Sequence, residues 1–350
     1  MKILCVMTGG TIGSAISDNL IDTSKNAEGE IGRLIRSYDV EADIVSPYTI
    51  LSENLSLSHV LALAACIKKN IRREHVGVLV THGTDTLQYT AAGLFYLLEG
   101  LSIPVVLVSA NYVLSDKRSN GVANLSGALE FLKTEHAPGV FIAYKNNVTP
   151  DGKYTEGLIK ASPVVLYNAE RTLAHMAYSD ALTSLPPEDV KKIEDPEAKR
   201  QFISNKDIFS QVFDEMINEK LSGLFELSDD EIVNAIKKLK RRKTGPLFFH
   251  IHPGMYYPTP TPDMGAILIE TYHSGTLPMD SEAFRVFLRS AKNYELPVFL
   301  AGCREYEDLY ASTRDYESEG LHILKKASPL AMYMKLSLCL LFGLDPVIYM

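Results

Sequence analysis

Short, mainly apolar runs recur along the first part of the chain, and segments with helical spacing of apolar residues lie between them. The apolar runs are Ile3–Met7, Ala42–Val45, Val76–Val80, Ile103–Ser109 and Gly139–Ala143. The helical segments are Glu28–Tyr38, Ser58–Asn70, Thr86–Glu99 and the stretch that contains Leu125, Leu129 and Leu132. Such apolar runs are typical of strands buried on both faces of a parallel sheet. The alternation predicts an α/β protein with a mainly parallel sheet.

The pattern changes after residue 145. Residues 146–167 hold a Pro150-Asp151-Gly152 turn followed by alternating residues, which predicts a hairpin-like excursion. Residues 186–243 are charged and have helical spacing around Phe209 and Phe213, which is typical of a linker elaborated with helices.

A second α/β unit follows the charged segment. Its predicted strands are Leu247–Ile251, Ala266–Glu270 and Pro297–Leu300, and its predicted helices are Ser281–Asn293 and Leu330–Phe342. The expected organisation is an N-terminal domain over residues 1–185, a charged helical linker or insertion over 186–245, and a smaller C-terminal α/β domain over 246–350.

Two of the predicted strands end in turns rich in threonine and glycine. The first turn is Thr8-Gly9-Gly10-Thr11, and the second is Thr81-His82-Gly83-Thr84-Asp85-Thr86. Ligands of open α/β sheets bind at the carboxyl ends of the strands, so both turns belong to the same rim. Threonine hydroxyls can act as nucleophiles when a base is near, and glycine N–H groups can hold an oxyanion. The two turns together supply parts for acyl transfer.

The role of Asp85 stays open at this stage. Its carboxylate could hold a substrate amine or orient a water molecule. An aspartate at the start of a helix also serves as a cap, which needs no ligand.

Composition and charge narrow the classes of function that we expect. The hydrophobic content of 46% is ample for a large core, and the net charge of -8 argues against a general nucleic-acid surface. The one basic cluster, Lys237–Lys243, is interpreted as the solvated end of a helix. Four scattered cysteines without metal-ligand spacing indicate free thiols in a reducing compartment, and no metal is expected.

The sequence pattern also gives no indication of a signal peptide or of a membrane-spanning segment. The first strand begins directly after Met1, and no apolar run approaches the roughly 20 residues that span a bilayer. We therefore expect a cytoplasmic protein with no membrane and no nucleic-acid partner.

The two turns, some seventy residues apart, resemble the L-asparaginase family of bacterial type. The resemblance implies that Thr11 is the nucleophile and that Thr84 and Asp85 form the second catalytic group and the contact to the substrate amine. It also implies that Ser52 and Glu53 bind the α-carboxylate and α-amine of the substrate. Gly10, Gly83 and Ala110 complete the expected substrate-binding residues.

The resemblance covers most of the chain and returns at His252-Pro-Gly-Met255 and Ile269–Gly275. It implies a Rossmann-like N-terminal domain, a smaller C-terminal α/β domain and no cofactor. It further implies a homo-oligomer, a dimer or tetramer, in which each site lies between the N-terminal domain of one subunit and the C-terminal domain of its neighbour.

Two family side chains are missing. The family's loop after the first turn carries a tyrosine that activates the nucleophile, but this chain has none between Thr11 and Tyr38, and Leu20 falls near that place. The family's catalytic lysine lies in a segment best matched by residues 171–175, where Leu173 or Ala174 stands in its position. The residues that could substitute for it are Lys153, Lys160 and His175.

Two smaller departures concern ligand preference. The family's Met-Arg-Pro after the third strand is replaced by Asn111-Tyr112-Val113, and Thr276 stands where an asparagine is expected.

The leading hypothesis is an amidohydrolase that converts L-asparagine, or a related ω-amide, to aspartate and ammonia. The first alternative is an amino-acid-binding protein that keeps Ser52, Glu53 and Asp85 but has lost the bases. The second is a subunit that supplies ammonia to a glutamyl-tRNA amidotransferase, which the start of the chain at its first strand disfavours. A dinucleotide-binding dehydrogenase is disfavoured because the first turn lacks the G-x-G-x-x-G spacing.

Overall fold

The computed structural model describes most of the chain. The described residues are 1–17, 20–22, 28–134, 138–146, 165–173, 181–183, 208–219, 227–237, 245–303, 313, 315–324 and 327–350. They divide into two compact units, Met1–Leu239 and Lys240–Met350. The domain boundaries expected at 185/186 and 245/246 stay predictions.

The first unit is built on a six-stranded sheet with the order β4-β1-β5-β6-β7-β8. Its strands are β1 (Lys2–Met7), β4 (Glu41–Val45), β5 (His75–Thr81), β6 (Pro104–Val108), β7 (Gly139–Tyr144) and β8 (Val165–Asn168). Every pair is parallel except β7 with β8. Two short strands, β2 (Ala15–Ser17) and β3 (Leu20–Asp22), form a separate antiparallel pair after the first turn.

Helices cover the sheet because its central strands are apolar on both faces. The helices of this unit are α1 (Glu28–Ser37), α2 (Leu57–Asn70), α3 (Leu87–Leu97), α4 (Gly121–Thr134) and α5 (Asp229–Lys237), with 3₁₀ turns at Thr11–Gly13 and Ser52–Asn54. Helices α1 and α4 pack with Ile3 and Cys5 of β1 in one buried cluster. Helix α3 is almost wholly buried, and α2 is buried from Val60 to Ile67. The two helices contact each other, and α3 contacts β7 while α2 contacts β1.

Strand register places both threonine turns at one edge. Met7 pairs with Thr81, Thr81 pairs with Val108, and Val108 pairs with Ala143. The four central strands therefore end level with one another, and the segments that follow β1 and β5 leave the sheet side by side. The mainly parallel α/β fold predicted from the sequence is confirmed.

The described part of the charged region packs on the first unit. A helical segment, residues 208–219, places Phe209 against Tyr96 of α3, with ring centroids 5.6 Å apart. Lys68 at the end of α2 donates to Asp214 at 2.6 Å and to Ser210 at 3.2 Å. Helix α5 also packs on α2. Residues 220–226 and 238–244, which include most of the predicted basic cluster, lie outside the described residues.

The second unit holds a four-stranded parallel sheet with the order β12-β11-β10-β9. Its strands are β9 (Leu247–His250), β10 (Ile267–Glu270), β11 (Val298–Ala301) and β12 (Leu321–Ile323), and its helices are α6 (Glu282–Asn293), α7 (Pro329–Phe342) and α8 (Pro346–Tyr349). Phe284 and Phe287 of α6 pack in one apolar cluster with Ile269, and Leu336 of α7 packs in the other with Phe299.

Some elements carried too little signal for sequence reasoning. Strands β2, β3 and β12 have three residues each, and α8 has four, which is too short for a periodic pattern. The excursion predicted for 146–167 falls largely on residues outside the described ranges. None of the described helices is long and apolar enough to cross a membrane.

Candidate active site

The first turn begins where β1 ends and is held by backbone contacts. The Ile50 N–H donates to the Thr8 carbonyl at 3.1 Å, and the Gly10 N–H donates to the Ile50 carbonyl at 3.2 Å. Gly9 and Gly10 both have positive φ, at 97° and 76°. A Cβ on Gly10 would lie 2.5 Å from the Gly83 Cα, so the first turn touches the second through bare backbone. Only glycine fits there.

The second turn packs equally closely on the segment before α2. A Cβ added to Gly83 would lie 2.6 Å from the Ser52 Cβ. Ser52 is buried, and its hydroxyl donates to Asp85 Oδ2 at 3.0 Å. In return, the Thr86 hydroxyl donates to the Ser52 carbonyl at 2.8 Å. Ser52 and the second turn are thus joined by two bonds in opposite directions.

The threonines of the two turns differ in their surroundings. The Thr8 hydroxyl is buried and donates to the Thr81 carbonyl at 2.8 Å, which makes it part of the framework. Thr11 and Thr84 are half-buried, and neither hydroxyl has a hydrogen-bond partner within the described part of the chain. Thr11 opens the 3₁₀ turn that follows Gly10. The Thr81 hydroxyl also has no hydrogen-bond partner in the described part of the chain, but Thr81 is fully buried. Thr11 and Thr84 are therefore the threonines of these turns whose unpartnered hydroxyls are on partly exposed residues.

His82 belongs to the second turn, and its side chain is buried. Its Nδ1 is 2.8 Å from the Gly83 carbonyl oxygen, and its Nε2 is 2.9 Å from the Thr90 hydroxyl. Burial lowers the pKa of His82 to about 4, so the imidazole is neutral near pH 7. A neutral buried ring cannot carry a proton for the reaction without a large cost.

The expected substrate-binding residues separate into two groups. Direct contacts bring Gly10, Gly83, Ser52 and Asp85 together, as described above, whereas Glu53 is exposed in the 3₁₀ turn that Ser52 begins. Ala110 is fully buried, and it faces Gly121 at the start of α4 so closely that a Cβ there would lie 2.7 Å away. Ala110 and Gly121 therefore pack β6 against α4.

An asparagine clasp fixes the loop after β6. Asn111 and Asn120 each donate a backbone N–H to the side-chain oxygen of the other, at 3.1 Å. Asn120 also donates to the Lys145 carbonyl at 2.8 Å, and Asn124 donates to the Ser109 carbonyl at 2.8 Å. The loop at 109–120 and the end of β7 are therefore held at the same edge of the sheet as the two turns.

Sequence reasoning missed His82, Thr86 and the asparagine clasp. The signal for Thr86 was its position as N-cap of α3, and the signal for the clasp was a pair of asparagines in one loop. No local sequence pattern indicated His82, because the contact of its ring with Thr90 on α3 exists only in the folded protein.

The structure describes only some of the positions where the family's tyrosine and lysine would lie. Leu20, near the position of the family's tyrosine, lies in β3. Leu173 has an apolar side chain and cannot act as a base. Ala174, Lys153, Lys160 and His175 lie outside the described residues. Among the residues that the structure describes, no cluster of histidine, cysteine, aspartate or glutamate could hold a metal ion.

The family model of the asparaginase N-terminal domain matches residues 2–174, which include both turns and Ser52. This chain is a divergent member of the asparaginase family.

Curated relatives of this asparaginase-family chain fall into two groups. It is 26% identical over 160 residues to an L-asparaginase of Thermococcus kodakarensis, a match that covers 42% of this chain and 45% of that protein. It is 31% identical over 138 residues to a glutamyl-tRNA(Gln) amidotransferase subunit of Saccharolobus islandicus, covering 38% of this chain and 30% of that protein. The matches thus span less than half the length of these relatives.

Solved structures of asparaginases share the fold. The thermostable L-asparaginase of Thermococcus kodakarensis has a TM-score of 0.67 at 18% identity, covering 100% of this chain and 96% of that chain. L-asparaginase I of Vibrio cholerae has a TM-score of 0.65 at 20% identity, covering 99% and 94%. The probable cytoplasmic L-asparaginase of Campylobacter jejuni has a TM-score of 0.62 at 16% identity, covering 99% and 98%. At these identities the likeness establishes the fold alone.

Proposed function

We propose that this chain is an amidohydrolase of the L-asparaginase type, which hydrolyses the side-chain amide of L-asparagine or a related ω-amide. The observation that carries the proposal is the meeting of the two turns. Gly10 and Gly83 touch through backbone while Ser52 binds Asp85, and this leaves the Thr11 and Thr84 hydroxyls without partners in the described chain.

The reaction proceeds in two steps. The Thr11 Oγ attacks the amide carbonyl, the C–N bond breaks, and ammonia leaves with the proton of the hydroxyl, so that an ester to Thr11 remains. A water molecule positioned by Thr84 then attacks this ester, which releases the acid and restores the Thr11 hydroxyl. Backbone N–H groups of the turns stabilise the oxyanion in both steps.

Recognition of the amino-acid part falls to Ser52, Glu53 and Asp85. Asp85 is exposed and carries a carboxylate that suits the substrate's ammonium group. Because the Ser52 hydroxyl already donates to Asp85 Oδ2, the carboxylate keeps one orientation before the substrate arrives. Preorganisation of this kind lowers the entropy cost of binding.

A second candidate is an amino-acid-binding protein without hydrolytic activity. It is favoured by the surroundings of Thr11, whose hydroxyl has no base within hydrogen-bond distance among the described residues. A threonine hydroxyl is a weak nucleophile without a base. The amidase proposal therefore requires a base for Thr11 that is not among the described residues. Lys153, Lys160 and His175, the candidates to replace the family's lysine, also lie outside the described residues.

A third candidate rests on the relatives that are amidotransferase subunits. The identity of 31% to the Saccharolobus subunit exceeds the 26% to the Thermococcus asparaginase, although the match covers only 30% of that subunit's length. Release of ammonia to an acceptor enzyme would use the same chemistry at Thr11. The proposal further includes a cytoplasmic homo-oligomer, a dimer or tetramer, with no cofactor.

Ammonia release tests the proposal. The wild type is assayed with asparagine, glutamine and a panel of ω-amides beside Thr11→Ala, Thr84→Val and Thr8→Ser. We expect the first two variants to lose activity by about 100-fold or more. Thr8→Ser is the matched control in the same turn, because serine keeps the hydroxyl donor to Thr81, and it should remain active.

Three outcomes separate the candidates. Hydrolysis that survives Thr11→Ala would exclude this residue as the nucleophile. If no amide is hydrolysed while asparagine or aspartate raises Tm, the protein binds amino acids without acting on them. Glutamine hydrolysis that rises only with an added amidotransferase partner would favour the third candidate.

A further inference from the structure

His82 has its side chain in the protein interior at the point where β5 becomes the second turn. The backbone N–H of His82 donates to the Val108 carbonyl at 2.9 Å, which joins the turn to β6. Its ring bridges the Gly83 carbonyl and the Thr90 hydroxyl on α3. The residue is 2% exposed, so water does not compete for these bonds.

The partners of His82 assign its tautomer. A carbonyl oxygen can only accept, so Nδ1 carries the proton that is donated to Gly83. A neutral imidazole has no second N–H, and Nε2 therefore accepts from the Thr90 hydroxyl. The Gly83 carbonyl therefore selects this tautomer, and the fully buried Thr90 hydroxyl, which can donate or accept, provides a partner for the other ring nitrogen.

The direction of the Gly83 carbonyl decides where the next amide points. The peptide bond between Gly83 and Thr84 is trans, and in a trans planar peptide the C=O and N–H vectors are antiparallel. Since the carbonyl points inward to the His82 ring, the Thr84 N–H points away from it. This N–H has no acceptor within the described part of the chain.

We propose that His82 is a positioning residue, which aims the Thr84 N–H at the oxyanion by holding the Gly83 carbonyl beneath the turn. The inference rests on the proposed amidase function. Without the Nδ1 bond, the Gly83–Thr84 peptide can rotate, and the donor is lost while Asp85 and Ser52 still hold each other.

His75 provides a matched control at the opposite end of the same strand. Its side chain is fully buried, Nδ1 accepts from the Arg72 N–H at 3.0 Å, and Nε2 lies 3.0 Å from Asp43 Oδ2. It therefore has two ring partners, as His82 does. Since β5 separates it from the turns, loss of His75 should lower stability without changing the oxyanion donor.

Kinetics test the role. His82→Leu removes both ring bonds and should lower kcat by about 100-fold with KM changed less than about threefold, because an oxyanion donor acts in the transition state. His82→Asn can still donate an amide N–H to Gly83 and should recover most of kcat. Thr90→Val should lower kcat, and Thr90→Ser should restore it. His75→Leu should keep the wild-type kcat while Tm falls.

A second measurement does not depend on turnover. Nitrogen-15 spectra of histidine-labelled protein, with His82 assigned by its loss in His82→Asn, should show a protonated Nδ1 and a bare Nε2 at pH 7. In Thr90→Val the proton should stay on Nδ1, because the Gly83 carbonyl still requires a donor.

The outcomes distinguish this inference from the proposed function. A wild type that hydrolyses no amide contradicts the proposed function, while the presence of the proton on Nδ1 still tests the His82–Gly83 bond. If the wild type is active and His82→Leu lowers kcat no more than His75→Leu, the positioning role is excluded. It is also excluded if the spectra show the proton on Nε2.

Discussion

At the scale of single residues, the contact between the two turns depends on the absence of side chains. Gly10 has φ of 76° and faces the Gly83 backbone, whereas Gly13 in the same turn has no atom within 4 Å of an added Cβ. Two glycines a few residues apart therefore have different roles. Gly10 allows the second turn to pack against it, whereas a Cβ added to Gly13 would meet only open space.

Gly10→Ala should destabilise the protein by about 2 kcal/mol or more, because it adds left-handed strain to a clash with backbone. Gly13→Ala should change the free energy of unfolding by no more than about 0.5 kcal/mol. Urea unfolding of both variants makes the comparison. Equal destabilisation would show that the turns are not packed through Gly10.

The buried neutral His82 also predicts a pH dependence of stability. Its pKa is lowered from 6.5 to about 4 in the fold, mainly by burial, and the hydrogen bond to Gly83 and the Asp85 charge oppose the shift. Between these values the unfolded chain binds a proton that the folded protein does not, so stability is lost as pH falls from about 6.5 to 4. The loss from this residue amounts to about 3 kcal/mol.

The measurement is the free energy of unfolding at pH 7 and pH 5 for the wild type and His82→Asn, which does not titrate. The wild type should lose more stability on acidification than the variant. His59, whose pKa is also lowered by burial, is common to both proteins and cancels in the difference. An identical pH dependence of the two proteins would contradict a buried neutral His82.

At the scale of elements, Lys68 joins the helical segment 208–219 to α2. Lys68 donates to Asp214 and Ser210, and its ammonium lies 5.5 Å from the centre of the Phe213 ring. An amphipathic segment needs a partner for its apolar face, and here α2 and α3 supply it. The helical spacing around Phe209 and Phe213 predicted helices in residues 186–243, but not the elements on which they pack.

Lys68→Met keeps the apolar stem and removes the charge, which should cost about 1 kcal/mol because the ion pair is only partly buried. Amide hydrogen exchange in residues 208–219 should become faster. Lys2→Met is the control, since Lys2 forms a similar ion pair with Asp43 at 2.8 Å away from this segment. Faster exchange in both variants, or in neither, would contradict the attachment through Lys68.

At the scale of the whole molecule, each unit contains its own sheet and apolar clusters. In Lys240–Met350, α6 and α7 enclose a four-stranded sheet with separate clusters on its two faces. A unit with a complete core can fold without the rest of the chain.

Residues 240–350 expressed alone should therefore unfold cooperatively on heating, with a near-ultraviolet circular dichroism signal from the packed aromatic residues around Phe284 and Phe287. A fragment of the first unit cut within β5 serves as the control, because it lacks a central strand and should not fold. Gradual melting of 240–350 without a near-ultraviolet signal would contradict the prediction.

Much of the fold was determined by the sequence itself. Continuous apolar runs such as Ile3–Met7 require burial on both faces, so a parallel sheet with covering helices follows from the pattern alone. The paired turns also identified Thr11, Thr84 and Asp85 as candidate site residues, because their residue types can be recognised from the local sequence. Strands as short as β12 left no such pattern, and packing decided them.

Only the tertiary structure decided how the candidate site is held. That Thr8 belongs to the framework depends on the Thr81 carbonyl, which is 73 residues away. The bond of Ser52 to Asp85 and the bridge of His82 between Gly83 and Thr90 likewise join elements whose approach no local pattern encodes. Residue types and periodicity determine which elements form, whereas hydrogen-bond partners depend on distances that exist only after the strands have paired and the turns have met.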